Sequence, residues 1–172
     1  MKADPAPVPK ILVLASGSGT NLQALIDATR ERDFPGEIIA VGCNKPGAFA
    51  LERAAQANLT TFVVDHTKYG SREEFDAALL AEILRHNPDL VVLAGFMRIL
   101  TSDFVRAFRG RMLNIHPSLL PAYTGLNTHQ RVLEAGDRTH GVSIHFVTEE
   151  LDGGPVIAQA EVAVAEDDTP ES

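Results

Sequence analysis

Apolar and polar positions change rhythm along this chain in a regular order. Lys10–Ala15, Glu37–Cys43, Thr61–Val64 and Leu90–Ala94 are short aliphatic, β-branched runs that read as strands, and amphipathic segments with helical periodicity lie between them. Two helix starts are legible. Thr20-x-x-Gln23 and Ser71-x-x-Glu74 both fit the capping box, in which a hydroxyl and an amide or carboxyl satisfy each other's free backbone N–H. The pattern predicts helices at about 20–33 and 71–86, the second closed by Asn87-Pro88. A strand at 111–115, a helix at about 125–135 and strand-like runs at 140–148 and 155–164 follow. Strands alternating with helices predict an α/β fold: a mainly parallel twisted sheet with helices on both faces.

The two ends depart from this rhythm. The opening MKADPAPVPK carries three prolines and no apolar stretch of a signal peptide, so residues 1–9 are expected to be a flexible leader. At the other end, Asp168-Thr169-Pro170-Glu171 is a helix-start signature, with Thr169 as N-cap and Pro170 in the first helical position. It predicts a C-terminal helical segment that is apparently missing from the 172 residues.

Composition narrows the class. A chain of 172 residues suits one domain, expected over 10–172, and 45% apolar with 22% charged residues is ordinary for a globular protein. No apolar run approaches the roughly 18 residues that span a bilayer, so a cytoplasmic protein without a membrane partner is expected. A net charge of −8 argues against a nucleic-acid partner, because neutralising phosphates needs a basic face. Cys43 is the only cysteine and lies in an apolar strand-like run, which excludes disulfides within the chain and points to a core thiol.

Four places could carry chemistry. Ala15-Ser-Gly-Ser-Gly-Thr-Asn21 joins the first strand to a helix, so its N–H groups form either a phosphate cradle or a plain tight turn. It is no Walker loop, lacking Gly-Lys-Ser/Thr. It is no dinucleotide fingerprint either, since Leu22 stands where the third glycine belongs and Cys43-Asn44-Lys45 supplies no ribose-binding acid. Asn114 and His116 are two apart on a strand and therefore share a side, near the end where open α/β sheets hold ligands. They are alternatively strand-end residues bonding to backbone. Asp152 precedes Gly153-Gly154, whose backbone freedom suits a turn; its carboxylate either forms that turn or aims at His116. Gly95-Phe96-Met97-Arg98-Ile99-Leu100 is too apolar for an ordinary loop and either walls a flat organic ligand or belongs to the core. His116, His140, His145 and Asp152 show no metal-ligand spacing, and no Gly-x-Ser-x-Gly elbow supports acyl-enzyme chemistry at Ser118.

Taken together, "SGSGTNLQALID", "CNKPGAFALERA", "VVLAGFMRIL", "LNIHPSLLPAYTG" and "HGVSIHFVTEELDGGPVIAQ" resemble the folate-dependent formyltransferases. Within that group they are most similar to the phosphoribosylglycinamide formyltransferases of purine synthesis, from about Lys10 to Thr169. The resemblance implies a Rossmann-like fold with an antiparallel strand near the C-terminal end. It implies transfer of the formyl group of 10-formyltetrahydrofolate, a co-substrate, to the amine of glycinamide ribonucleotide by direct attack through a tetrahedral intermediate, without a metal. Asn114, His116 and Asp152 match the catalytic positions, and Gly19, Thr20 and Asn21 the ribonucleotide phosphate loop. Arg72, Met97, Arg98, Ile99 and Leu100 match the folate positions, with Asn114 and with Thr148, Glu149, Glu150, Leu151 and Asp152; Ser143 and His145 match a supporting pocket. Partners are then the two small molecules, and the protein is a monomer or homodimer. The alternatives are a formyltetrahydrofolate hydrolase, which shares the trio and delivers water, a methionyl-tRNA formyltransferase, which the acidic charge disfavours, and a noncatalytic nucleotide-binding module.

Overall fold

A computed structural model describes residues 7–172. The expected leader falls largely on residues 1–6, which lie outside the described residues; Pro7, Val8 and Pro9 carry no regular structure and are exposed. The chain divides after Phe104 into two compact units.

The first unit is built on a parallel sheet. Strands β1 (Lys10–Ala15), β2 (Glu37–Cys43), β3 (Thr60–Val63) and β4 (Leu90–Leu93) run in the order β3-β2-β1-β4. Residues Ile11–Leu14 pair with Leu90–Leu93 on one side, and β1 pairs with β2 on the other. Its position between two neighbours explains why β1 reads as an unbroken apolar run: Leu12, Val13, Leu14 and Ala15 are fully buried, so both faces of the strand need apolar side chains. Leu12, Val13 and Leu14 each contribute about 1.5–3 kcal/mol on leaving water. Cys43, at the end of β2, is buried and free, and burial pushes its thiol up to about 11, as expected of a core thiol.

Helices α1 (Thr20–Ala28), α2 (Phe49–Gln56) and α3 (Arg72–His86) connect these strands. In α3, Phe75, Leu79 and Ile83 recur every fourth residue and form the buried stripe. Ser71 caps it by accepting from Glu74 N–H, as the sequence predicts, and Asn87 closes it in the left-handed conformation before Pro88. The capping box at Thr20 does not form. Gly19, left-handed at φ 71°, is the N-cap, so Thr20 is already inside the helix and Gln23 turns instead to Asp27. The helix also ends earlier than expected, at Ala28. Helix α2 starts after Ala48 without a side-chain cap, whereas the short α4 (Ser102–Ala107) starts after Thr101, whose hydroxyl accepts from Phe104 N–H at 3.4 Å.

The second unit is antiparallel. Strand β5 (Met112–His116) pairs with β6 (Thr139–Phe146), which pairs with β7 (Val156–Ala163); α5 (Thr128–Ala135) lies between β5 and β6 in the chain. Seven strands are thus described, four parallel and three antiparallel, as the sequence reading expected of the C-terminal end. The Asp168–Glu171 signature forms a turn and no helix by Ser172, although the Thr169 hydroxyl accepts from Glu171 N–H as a capping residue does.

Candidate active site

Register decides which side chains meet. Asn114 lies opposite His145 and His116 opposite Ser143 across the β5–β6 pair. Directly opposed residues share a face, and so do residues two apart on one strand, so these four polar groups point the same way. A slip of one residue would send all of them to the other side.

His116 is buried, at 5% exposure. Its Nε2 lies 2.9 Å from the Tyr123 carbonyl oxygen; a carbonyl only accepts, so Nε2 carries a proton and donates. Nδ1 faces Asp152 Oδ1 at 3.5 Å, longer than a committed charge-assisted bond of about 2.8 Å. That nitrogen is the one left for an incoming group. His145 donates from Nδ1 to the Phe146 carbonyl at 3.0 Å, which leaves its Nε2 to accept from the Asn114 amide at 3.1 Å. Asn114 therefore has a fixed orientation and a second N–H to offer. His145 Nε2 also lies 3.8 Å from Asp152 Oδ1, but as an acceptor it has no proton to give the carboxylate, whose imidazole partner is His116.

Asp152 sits in a turn, yet its side chain is only 7% exposed. Its Oδ2 accepts from Gly125 N–H at 2.8 Å. The left-handed residue of this turn is Asp152 itself, φ 52°, a conformation that aspartate tolerates better than most residues. The glycines serve another purpose than the backbone freedom expected of them. A Cβ on Gly154 would stand 1.8 Å from the Phe146 carbonyl oxygen, so Gly154 permits close approach to β6. In the same turn the Thr148 hydroxyl donates to the Glu150 carbonyl, Glu149 pairs with Arg106 at 3.4 Å and Leu151 is exposed.

Ser143 is fully buried and fully committed. It donates to the Ser118 carbonyl at 2.6 Å and accepts from Leu120 N–H at 3.0 Å and Gln159 Nε2 at 2.9 Å. It thereby ties the 118–120 stretch to β6. The Ser118 hydroxyl donates onward to the Ala122 carbonyl at 2.7 Å, just before the Tyr123 carbonyl that holds His116. Tyr123 and Gly125, which hold His116 and Asp152, are residues that sequence reasoning did not single out. Both act through backbone atoms, and their only signal was membership in the quoted "PAYTG".

In the first unit, the loop after β1 presents the start of α1 with no side-chain cap and no acidic residue in the first turn. Free N–H groups and the positive end of a helix dipole favour negative charge at such a place. Thr20 and Asn21 are exposed there, and Gly19 is buried against α2, where a Cβ would come within 2.7 Å of Ala50 Cα. Arg53 of α2 donates from Nε to the Ser18 carbonyl at 2.7 Å, which places a cation beside the loop. Arg72 is exposed at the start of α3. After β4, Phe96 is buried while Met97 and Ile99 are 65% and 61% exposed, so the 95–100 stretch divides between core and surface. Among the described residues no group of three or more His, Cys, Asp or Glu could hold a metal, and no helix is long and apolar enough to cross a membrane.

The formyl transferase family model matches residues 9–172. The phosphoribosylglycinamide formyltransferase of Escherichia coli is 56% identical over 154 residues, covering 90% of this chain and 73% of that protein. A trifunctional purine biosynthetic protein, adenosine-3, of Chironomus tentans is 49% identical over 168 residues, covering 96% of this chain but only 12% of its own length. The crystal structure of glycinamide ribonucleotide transformylase 1 from Symbiobacterium toebii superposes with a TM-score of 0.93 at 46% identity, covering 97% of this chain and 79% of that one.

Proposed function

The chain belongs to the formyl transferase family, and from that premise we propose how its residues move a formyl group from 10-formyltetrahydrofolate to the amine of glycinamide ribonucleotide in purine synthesis. We take residues 10–172 as one formyltransferase domain acting on these two small molecules in the cytoplasm. The observation that carries the reading is the buried face of β5 and β6. There Asn114 is oriented by His145, and His116 is held between a carbonyl and a carboxylate.

The amine nitrogen attacks the formyl carbon, and the carbonyl oxygen becomes an oxyanion. Asn114 donates its second N–H to that oxygen. His116, protonated on Nδ1, donates from the other side, while its Nε2–H stays on the Tyr123 carbonyl and keeps the ring from turning. Donors fixed in advance supply several kcal/mol of barrier lowering, because they need not reorganise as charge develops. Asp152 favours the charged ring and accepts the proton that the attacking amine loses; the proton is returned to the folate nitrogen as the carbon–nitrogen bond breaks. The Gly125 N–H aims the carboxylate during this transfer. Gly19, Thr20 and Asn21 take the ribonucleotide phosphate, with Arg53 adding positive charge beside them. Arg72 and the 97–100 segment receive the folate.

Incubation with both substrates tests the reading. Stoichiometric appearance of formylated ribonucleotide and deformylated folate is expected. Folate deformylation at the same rate without the ribonucleotide would mean a hydrolase, and ribonucleotide binding without any turnover would mean a binding module.

A further inference from the structure

Met97 and Ile99 expose large apolar side chains on a segment without regular secondary structure, and the peptide N–H groups of Arg98, Ile99 and Leu100 donate to nothing among the described residues. Such a stretch would be expected to collapse onto the core or vary in shape. Two buried side chains hold its ends. At one end the Ser16 hydroxyl accepts from Met97 N–H at 2.7 Å and donates to Asn44 Oδ1 at 2.6 Å; Ser16 and Asn44 are 2% and 1% exposed. At the other, Asp76 Oδ2 accepts from Thr101 N–H at 2.5 Å.

Asp76 is the unexpected group. It is 2% exposed on α3, beside the apolar stripe of Phe75, Leu79 and Ile83, and its Oδ1 has no hydrogen-bond partner among the described residues. Burying a carboxylate with half its capacity unmet is costly, and an apolar residue would complete that stripe without the cost. Stability alone therefore does not account for it. Its neighbour Phe75 lies under the Arg98 guanidinium, 5.4 Å from ring centroid to Cζ, so α3 secures the segment at Arg98 as well as at Thr101.

We propose that Asp76 is a positioning residue for the folate: with Ser16 at the opposite end, it fixes the 97–101 backbone so that the unpaired N–H groups stand ready for the acceptors of a flat heterocycle. This rests on the assignment of the 97–100 segment to the folate. A ligand that meets a pre-set loop does not have to order it on binding, so losing an anchor weakens affinity without touching the reacting atoms.

The test compares Asp76→Ala, Asp76→Asn and Ser16→Ala in the full chain, reading KM for each substrate, kcat, and the Kd of a tetrahydrofolate analogue that carries no formyl group. Asn keeps an acceptor oxygen for Thr101 N–H and Ala does not. Asp76→Ala should raise folate KM and analogue Kd about tenfold, as for loss of one charge-assisted bond, with ribonucleotide KM and kcat within about twofold. Asp76→Asn should restore most of the affinity, and Ser16→Ala should shift folate binding more than ribonucleotide binding. Unchanged folate affinity in Asp76→Ala, or equal loss for both substrates, overturns the proposal. If Asp76→Ala does not fold, Ser16→Ala decides by the same measures. A wild-type chain that transfers formyl but ignores the analogue removes the folate assignment and this proposal with it, whereas a chain that binds the analogue without transfer leaves the positioning role to be judged on Kd alone.

Discussion

In the proposed function, the loop after β1 and the face of β5 and β6 recognise their ligands by opposite means. The loop offers backbone: uncapped N–H groups of α1, shaped by a left-handed Gly19, with side chains that point to solvent. The strand face offers side chains, and backbone appears there only to hold them, through the Tyr123 carbonyl and the Gly125 N–H. A site of the first kind binds charge and tolerates changes in the residues around it. A site of the second kind depends on each named group, because every polar atom in a buried network is either paired or penalised.

The largest expected effect breaks the strand face at its donor. Asn114→Ala should lower turnover about a hundredfold or more while leaving folate affinity nearly unchanged, since an oxyanion donor acts only in the transition state. His145→Ala should lower it less, about tenfold, because Asn114 keeps its amide and loses only the partner that orients it. Single-turnover rates with a folate binding titration check both. If His145→Ala costs as much as Asn114→Ala, the imidazole itself meets the reacting atoms and the assigned order of roles is wrong.

The same contrast explains how much could be read from the chain alone. The β1 and β2 strands were legible to the residue because a strand buried on both faces is a continuous apolar run, bounded by turn residues. Asn114 and His116 were legible as a pair from the period of two. The approach of Asp152 to His116 was one of two readings of its turn, 36 residues beyond His116, and it is the one the fold adopts. The bond between Asn114 and His145 was not legible, since it depends on the register of β6. Tyr123 and Gly125 could not be found by residue type, because any residue has a carbonyl and nearly any has an N–H. The Thr20 capping box failed for a related reason. Gly19 takes the cap position by backbone conformation, and the pattern of side chains cannot register that.

A second break falls on the loop and should be intermediate in size. Gly19→Val places a β-branched residue at φ 71° and brings its Cβ within 2.7 Å of Ala50 Cα, so both conformation and packing oppose it. A stability loss of about 2 kcal/mol or more is expected, together with weaker ribonucleotide binding. Gly17→Ala, two residues away with nothing within 4 Å of its Cβ, should change stability by less than about 0.5 kcal/mol and leave ribonucleotide binding close to normal. Thermal melts and ribonucleotide titration of both variants sharpen the comparison. If Gly17→Ala weakens the ribonucleotide as much as Gly19→Val does, the loop does not bind through the start of α1.

The smallest effect tests the opposite face of β6, where His140 is 8% exposed and its Nε2 lies 2.8 Å from His129 Nδ1. Burial, and after it the neighbouring His129, hold the His140 imidazole below its ordinary value of 6.5, so the fold favours the neutral ring. In the unfolded chain that ring takes up a proton at its ordinary value. Stability from this group is therefore complete above 6.5 and is lost as pH falls from there through the lower folded value, the unfolded state binding the proton first. Removing the ring with His140→Leu should flatten that dependence: wild type should lose more in Tm between pH 7.5 and pH 5 than the variant does. The difference should be no more than about 3 °C, the scale of roughly 1 kcal/mol for a chain of this length. Calorimetric melts at a series of pH values decide it. Parallel curves for the two proteins would mean that His140 is as free to take a proton in the fold as outside it, and the two faces of β6 would then differ in their partners but not in how strongly they constrain charge.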